Sequence, residues 1–268
     1  MTLRGSSPSP SFPADERTPG EWGAAQKDHY DHLAAQYDAH YGDQWSQRYR
    51  REFIDEPLLA GLDIRGREVL EAMCGSGQTT AALLERGAHV TGLDISEAGM
   101  ESFRRRWPDC RAVCASITES GLPSECFDAV VIVAGLHHLH PDVPKALAEI
   151  HRVLRPGGTL CFMEPHSGSV PDLFRRIWYR FDRLFLANEA AIDIVGLREQ
   201  CAGKFIPVVE RYGGNIAFLL VLNSMVFRLP VWLKAVYAPL VLWVERLLSR
   251  WGGKRFSCFA ICQWRKCD

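Results

Sequence analysis

Apolar positions along the chain fall into short runs separated by stretches with helical spacing. The run at 68–73, Glu-Val-Leu-Glu-Ala-Met, stops at Cys74-Gly75-Ser76-Gly77. The next stretch, 78–85, offers Thr79, Leu83 and Leu84 for one buried helical face, and Gly87 ends it as a left-handed glycine would. A second strand is predicted over 89–93, ending on Asp94, with Ile95-Ser96-Glu97 leading into a helix that runs to Trp107. Val113 marks a third strand. Residues 127–133 are almost uninterruptedly apolar, which suits a central strand covered on both faces. Val143, Leu147, Ile150 and Leu154 carry a helix over 141–154, and Pro156-Gly157-Gly158 turns the chain into a fifth strand at 159–163. Strands alternating with helices predict an α/β fold with a doubly wound, mostly parallel sheet.

Composition narrows the function classes. The chain has 268 residues, 47% hydrophobic and 24% charged, with a formal net charge of −1. That length suits one large domain, or a domain with an insertion. The balance excludes wholesale disorder, collagen-like repeats and a coiled coil, and it argues against a general nucleic-acid binder, which would carry a basic surplus. The nine cysteines form no Cys-x-x-Cys pair, so neither a zinc site nor a secreted disulfide framework is expected. Residues 1–27 are rich in Ser and Pro and lack an apolar run, which predicts a disordered arm rather than a signal peptide. The expectation is a cytoplasmic protein with reduced thiols.

Candidate chemistry begins at the loop after the first strand. Gly75 and Gly77 let backbone pass close to a ligand and turn into a helix whose amides face it. Asp94, at the end of the second strand, falls beside that loop, where a carboxylate can accept from both hydroxyls of a ribose. Its alternative role is to cap the helix that begins near Ser96.

The segments Val69-Leu70-Glu71-Ala72-Met73-Cys74-Gly75-Ser76-Gly77, Gly92-Leu93-Asp94-Ile95-Ser96, Phe127-Asp128-Ala129-Val130-Val131 and Leu154-Arg155-Pro156-Gly157-Gly158-Thr159-Leu160 resemble the motifs of class I S-adenosylmethionine-dependent methyltransferases, in that family's order and spacing. The resemblance covers about 30–214 and resumes at the last strand. It implies a seven-stranded sheet, with a sixth strand near 205–211 and an antiparallel seventh near 256–264. It also implies S-adenosyl-L-methionine as cofactor. Glu71 would hold the methionine amino group, Gly75 and Gly77 would border the cofactor, Asp94 would bind the ribose and Ile95 would pack on the adenine. Two positions depart from the family pattern. Met73 stands where a glycine is usual, its side chain expected to point away from the cofactor, and Ser116 takes the place of an acid that meets the adenine amino group. A dinucleotide dehydrogenase is the competing reading, but Thr80 stands where its third glycine would be.

A hydroxyl acceptor must lose a proton as it takes the methyl group, which calls for a base titrating near neutrality. Leu136-His137-His138-Leu139-His140 follows the fourth strand, at the carboxyl end where such sheets hold ligands. The resemblance points to His138 as general base. A histidine that simply packs there is the alternative, and His137 would face the substrate. Glu164 ends the fifth strand; it would either face the cleft, orienting His138 or binding a polar substrate group, or be a solvated loop residue. Residues 30–38 resemble the helix that lids the cofactor in this family. Tyr37 would lie near the sulfonium, because a cation sits well on a ring face, while Tyr30, Tyr41 and Trp45 would line the acceptor pocket. The same rings could serve as the core face of an amphipathic helix.

Residues 215–251 form an apolar insertion between the last two strands. Its longest uncharged stretch, 212–227, is 16 residues, short of the roughly 20 that cross a bilayer. A second segment, 171–186, is aromatic and basic. Residues 166–255 carry 13 Lys and Arg against 7 Asp and Glu, whereas the remainder carries 18 against 25. This asymmetry fits a lipophilic acceptor pocket or helices lying on an anionic membrane surface, and equally a buried cap or a homodimer interface. The expected function is methylation of a hydrophobic small molecule, at oxygen, in specialised or lipid metabolism. A membrane-resident lipid or quinone acceptor is one alternative, and a non-catalytic cofactor-binding scaffold is the other.

Overall fold

The computed structural model describes residues 40–179, 190–251 and 253–267. The expected arm at 1–27, Tyr30, Tyr37 and the end of the 171–186 segment lie outside the described residues.

Seven strands form one sheet: β1 (Glu68–Ala72), β2 (His89–Asp94), β3 (Arg111–Cys114), β4 (Phe127–Val133), β5 (Leu154–Pro165), β6 (Phe205–Gly213) and β7 (Phe259–Lys266). Their spatial order is β3-β2-β1-β4-β5-β7-β6, parallel from β3 to β5, with β7 antiparallel to both neighbours. The chain winds outward from β1 to β3 and then returns to β4. The strand order therefore reverses between β1 and β4, where a crevice opens at the carboxyl ends. All seven expected strands are present. The fifth is longer than its apolar run, because Leu154 already pairs with Phe127 before the Pro156-Gly157-Gly158 turn.

The helices are α1 (Gln44–Arg50, continued as a wide turn over Arg51–Asp55 and by Glu56–Leu58), α2 (Thr80–Glu85), α3 (Glu97–Arg106), α4 (Val143–Val153), α5 (Val170–Tyr179), α6 (Ile194–Gln200) and α7 (Lys234–Ser249). Each sheet face buries its own apolar cluster. On one, Leu70, Leu93, Val130 and Phe162 meet Leu147 and Ile150 of α4. On the other, Val69, Val90 and Val131 meet Ile54 and Leu58 beyond α1, and Leu242 of α7. Adjacent residues Val69 and Leu70 thus serve opposite faces, as the two-residue period of a strand requires.

Residues 215–251 pack beside α1. Lys234, fully buried, pairs with Asp43 at 2.6 Å and donates to Ser46 Oγ at 2.8 Å. Burial pushes the Asp43 carboxyl up, but the Lys234 hydrogen bond and charge outweigh it and hold the carboxyl below its ordinary value. Glu245, also buried, accepts from the backbone N–H groups of Asn215 (2.8 Å) and Ala217 (2.9 Å) and from the Tyr49 hydroxyl (3.2 Å). These polar anchors fix the segment on α1 in a way that apolar contact alone would leave free to slide. Among the described residues, no helix is long and apolar enough to cross a membrane.

Candidate active site

A cavity of about 800 Å³ occupies the crevice, floored by the carboxyl ends of β1, β2, β4 and β5. Its polar end is built from backbone turns. β1 stops where Met73 adopts φ 55°, and the turn closes through Gly77 N–H to the Cys74 carbonyl at 2.8 Å. Asp94 receives this loop: its Oδ2 accepts from Gly75 N–H at 2.8 Å and its Oδ1 from Ser96 N–H at 2.9 Å. The helix α3 is capped by Ser96, whose hydroxyl accepts from Gly99 N–H at 3.0 Å. The capping role considered for Asp94 therefore belongs to Ser96, while Asp94 binds loop to strand and lines the cavity.

Glu71 lies buried below the loop. It accepts from Thr79 N–H at 2.9 Å and from the Thr80 hydroxyl, covering the exposed amides at the start of α2. Burial pushes its carboxyl up to about 7, against the opposing pull of those hydrogen bonds and of Arg50. Arg50, which sequence reasoning missed, also lines the cavity. It donates to Thr79 Oγ1 at 2.9 Å, and its Nε has no hydrogen-bond partner among the described residues. On α1 the only signal was its position beside Tyr49 on a helix face that proves to be buried.

At the end of β4, Ala134 also has a positive φ, 56°, so two neighbouring strands end in strained residues at the cavity floor. Glu164 is 0% exposed. Its carboxylate accepts from Gly135 N–H (2.8 Å), Leu136 N–H (2.7 Å) and His137 N–H (3.3 Å), and it pairs with His137 Nδ1 at 2.8 Å. Burial pushes it up to about 7. The expected cleft-facing Glu164 that orients His138 is thus corrected. Glu164 sits beneath the turn because three backbone donors and His137 enclose it, and neither substrate contact nor solvation is open to it. His137 and His138 both line the cavity, with ring centroids 3.7 Å apart.

Other expectations sort by place. Gly75, Ile95, Ser116 and Tyr41 line the cavity, and burial pushes the Tyr41 hydroxyl up to about 12. The Ser116 hydroxyl is shared with Thr118 Oγ1 at 2.8 Å. Met73 borders the cavity, and its side chain packs against the core cluster on the α4 face. Its sulfur packs over Gly135, where a Cβ would lie 2.8 Å from it. Gly77 does not border the cavity: a Cβ there would lie 2.4 Å from Trp107 Nε1 and 2.8 Å from Phe103, so its glycine is required by packing behind the loop. Trp45 packs into the core of the α1 face instead of the cavity.

The other end of the cavity is apolar. Phe218, Leu222 and Met225 of the insertion line it together with Val170 and Phe174 of α5 and with Phe256. Hydrophobicity marked the insertion in the sequence, but nothing local indicated which of its residues turn inward.

Residues 70–162 match a family described as a methyltransferase domain. The chain is 29% identical over 177 residues to malonyl-[acyl-carrier protein] O-methyltransferase of Serratia marcescens, covering 65% of this chain and 64% of that one. It is 39% identical over 116 residues to demethylmenaquinone methyltransferase of Clavibacter sepedonicus, covering 42% and 46% respectively. The chain thus spans about half to two thirds of the length of these curated relatives. Among solved structures, 1,6-didemethyltoxoflavin-N1-methyltransferase of Burkholderia thailandensis, crystallised with S-adenosylhomocysteine, superposes with a TM-score of 0.60 at 21% identity, over 98% of this chain and 94% of that one. The matched segment contains the end of β1, the glycine turn, Asp94 and the His137 turn, and it lies within a sheet of the same fold. Residues 70–162 therefore match a methyltransferase domain, set in a sheet with the fold of that solved enzyme.

Proposed function

We propose that the chain transfers a methyl group from S-adenosylmethionine to a hydrophobic small molecule, at oxygen. The observation that carries this reading is the union, in one cavity, of a carboxylate-and-amide cradle, a carboxylate-held histidine and an apolar wall. The donor set suits the cofactor. Asp94 would accept from ribose hydroxyls, Glu71 would hold the amino group and Arg50, whose Nε has no hydrogen-bond partner among the described residues, would meet the carboxylate. Ile95 and Ser116 would border the adenine, and Gly75 and Met73 the remaining wall. When bound, the cofactor supplies an electrophilic methyl group on a sulfonium.

The protein's own part is alignment, exclusion of water and proton transfer. Phe218 and Leu222 press an apolar acceptor towards the strand ends and displace water. With Nδ1–H donated to Glu164, the imidazole of His137 keeps Nε2 as a proton acceptor, an assignment of the tautomer made from its partner. His137 is therefore our general base, and His138, its ring tilted against it, forms the wall. Tyr41 lines the acceptor side. Residues 215–251 act as a substrate cap held on α1 by Lys234 and Glu245.

The demethylmenaquinone methyltransferase among the relatives supports a second reading, a membrane-resident lipid or quinone acceptor. Labelled-methyl transfer into lipophilic extracts tests the proposal: label is expected in the organic phase. Silence across such extracts, with S-adenosylhomocysteine still bound, would leave a non-catalytic cofactor-binding scaffold.

A further inference from the structure

Helix α5 is amphipathic in the wrong direction for a soluble surface. Its apolar residues Val170, Leu173, Phe174 and Ile177 recur at helical spacing, the pattern of a core-facing stripe. Yet Leu173 is 60%, Phe174 67% and Ile177 54% exposed, while Asp172 is buried and paired with Arg175 and Arg176. The stripe does not end on the helix. Val170 N–H donates to the Arg255 carbonyl at 2.8 Å, tying α5 to Phe256, itself 62% exposed. Phe174 and Phe256 both line the cavity, as does the exposed Phe227. The mouth of the cavity is thus rimmed by apolar side chains that face solvent.

Among the described residues, exposed basic side chains stand beside this rim. Arg176 stands on α5, Arg228 follows Phe227, and Lys254 and Arg255 precede Phe256, all exposed. They belong to the 166–255 region with 13 basic and 7 acidic residues.

We infer that this rim docks the protein on an anionic lipid bilayer, with α5 lying in the interface and the cavity opening towards the acyl chains. Exposed aromatic and aliphatic side chains flanked by Arg and Lys are what an interfacial helix presents to such a surface. A docked mouth lets a lipophilic acceptor pass from bilayer to cavity without crossing water. This rests on the proposed hydrophobic acceptor and specifies the source from which it is taken. A protein partner would leave these side chains without a hydrocarbon phase; an acidic carrier protein would engage mainly the arginines and lysines.

The test is co-sedimentation of the full chain with phosphatidylcholine vesicles, with and without phosphatidylglycerol. Cofactor-site integrity is followed in parallel by calorimetric titration with S-adenosylhomocysteine. The chain is expected to pellet with the anionic vesicles and to be released by salt. Leu173→Glu with Ile177→Glu, two exposed residues outside the cavity, should lower the partition by tenfold or more while the cofactor titration and Tm stay unchanged. Lys254→Glu with Arg255→Glu should remove the preference for anionic lipid. The inference is overturned if the chain stays in solution with every vesicle, or if the apolar double variant pellets like the parent. Binding to an acidic carrier protein without binding to vesicles overturns it too. Cofactor heat without vesicle binding sinks the docking alone, whereas loss of cofactor heat sinks the methyltransferase reading beneath it.

Discussion

The two ends of the cavity are built by different means. At the polar end, ligand-facing groups are backbone amides and short acids fixed by turns: Asp94 holds Gly75 and Ser96, and Glu71 holds the start of α2. At the apolar end, the wall consists of side chains from three elements far apart in sequence, Phe174, Phe218 and Phe256 among them. The polar end depends on hydrogen bonds within the β1-turn-α2 unit and on Asp94 at the neighbouring end of β2. The apolar end depends on buried polar anchors between α1 and 215–251 that lie outside the cavity. One end can therefore keep its ligand while the other is rebuilt for a different acceptor. His137, held by Glu164 at the floor between them, is where the two ends must meet for chemistry.

The comparison breaks most sharply at that floor. His137→Ala should lower kcat by about 10²–10⁴ and leave cofactor binding alone, whereas His138→Ala should have a smaller effect on kcat. Steady-state kinetics with calorimetric titration separates the two effects, and equal losses in the two variants would remove His137 as base. Next is the anchor of the apolar end. Lys234→Met strands Asp43 in a buried site and should cost about 3 kcal/mol of stability, measured by chemical denaturation. A change within error would mean that 215–251 is held by apolar contact alone. At the polar end, Asp94→Asn keeps the size of the side chain but gives up the charge that receives two amides. Its affinity for S-adenosylhomocysteine should fall by tenfold to a hundredfold without a change in fold.

The smallest effect is on pH dependence. Burial raises the Glu164 carboxyl from 4.5 to about 7, so the native state binds more protons than the unfolded state between those values. The stability this contributes is fully present below 4.5 and is lost as pH rises through about 7. Glu164→Gln removes that slope, so the Tm difference between the parent chain and the variant should shrink across this window. A difference that grows with pH would contradict the assignment.

The legibility of the sequence follows the same division. The strands and glycine turn could be read because their signals are local: apolar runs bounded by Gly and Asp state both the element and its end. Glu71 and Asp94 could be found because they end or interrupt such runs. Glu164 could be placed at a strand end but not oriented, since its partner is chosen by the shape of the 135–137 turn opposite. Gly77 looked like a ligand-side glycine, yet Trp107 and Phe103 decide its need for a bare Cα from behind. Trp45 and Arg50 lie on one helix, yet the first packs into the core and the second lines the cavity, a division set by tertiary neighbours. α5 misled in another way, since its apolar stripe has core spacing but faces solvent.

The most direct test is a crystal structure of the full chain with S-adenosylhomocysteine. The account predicts the ribose hydroxyls on Asp94, the homocysteine end between Glu71 and Arg50, and the sulfur turned towards the apolar chamber beside His137. A ligand bound elsewhere, or one whose sulfur faces away from the His137 turn, would contradict it.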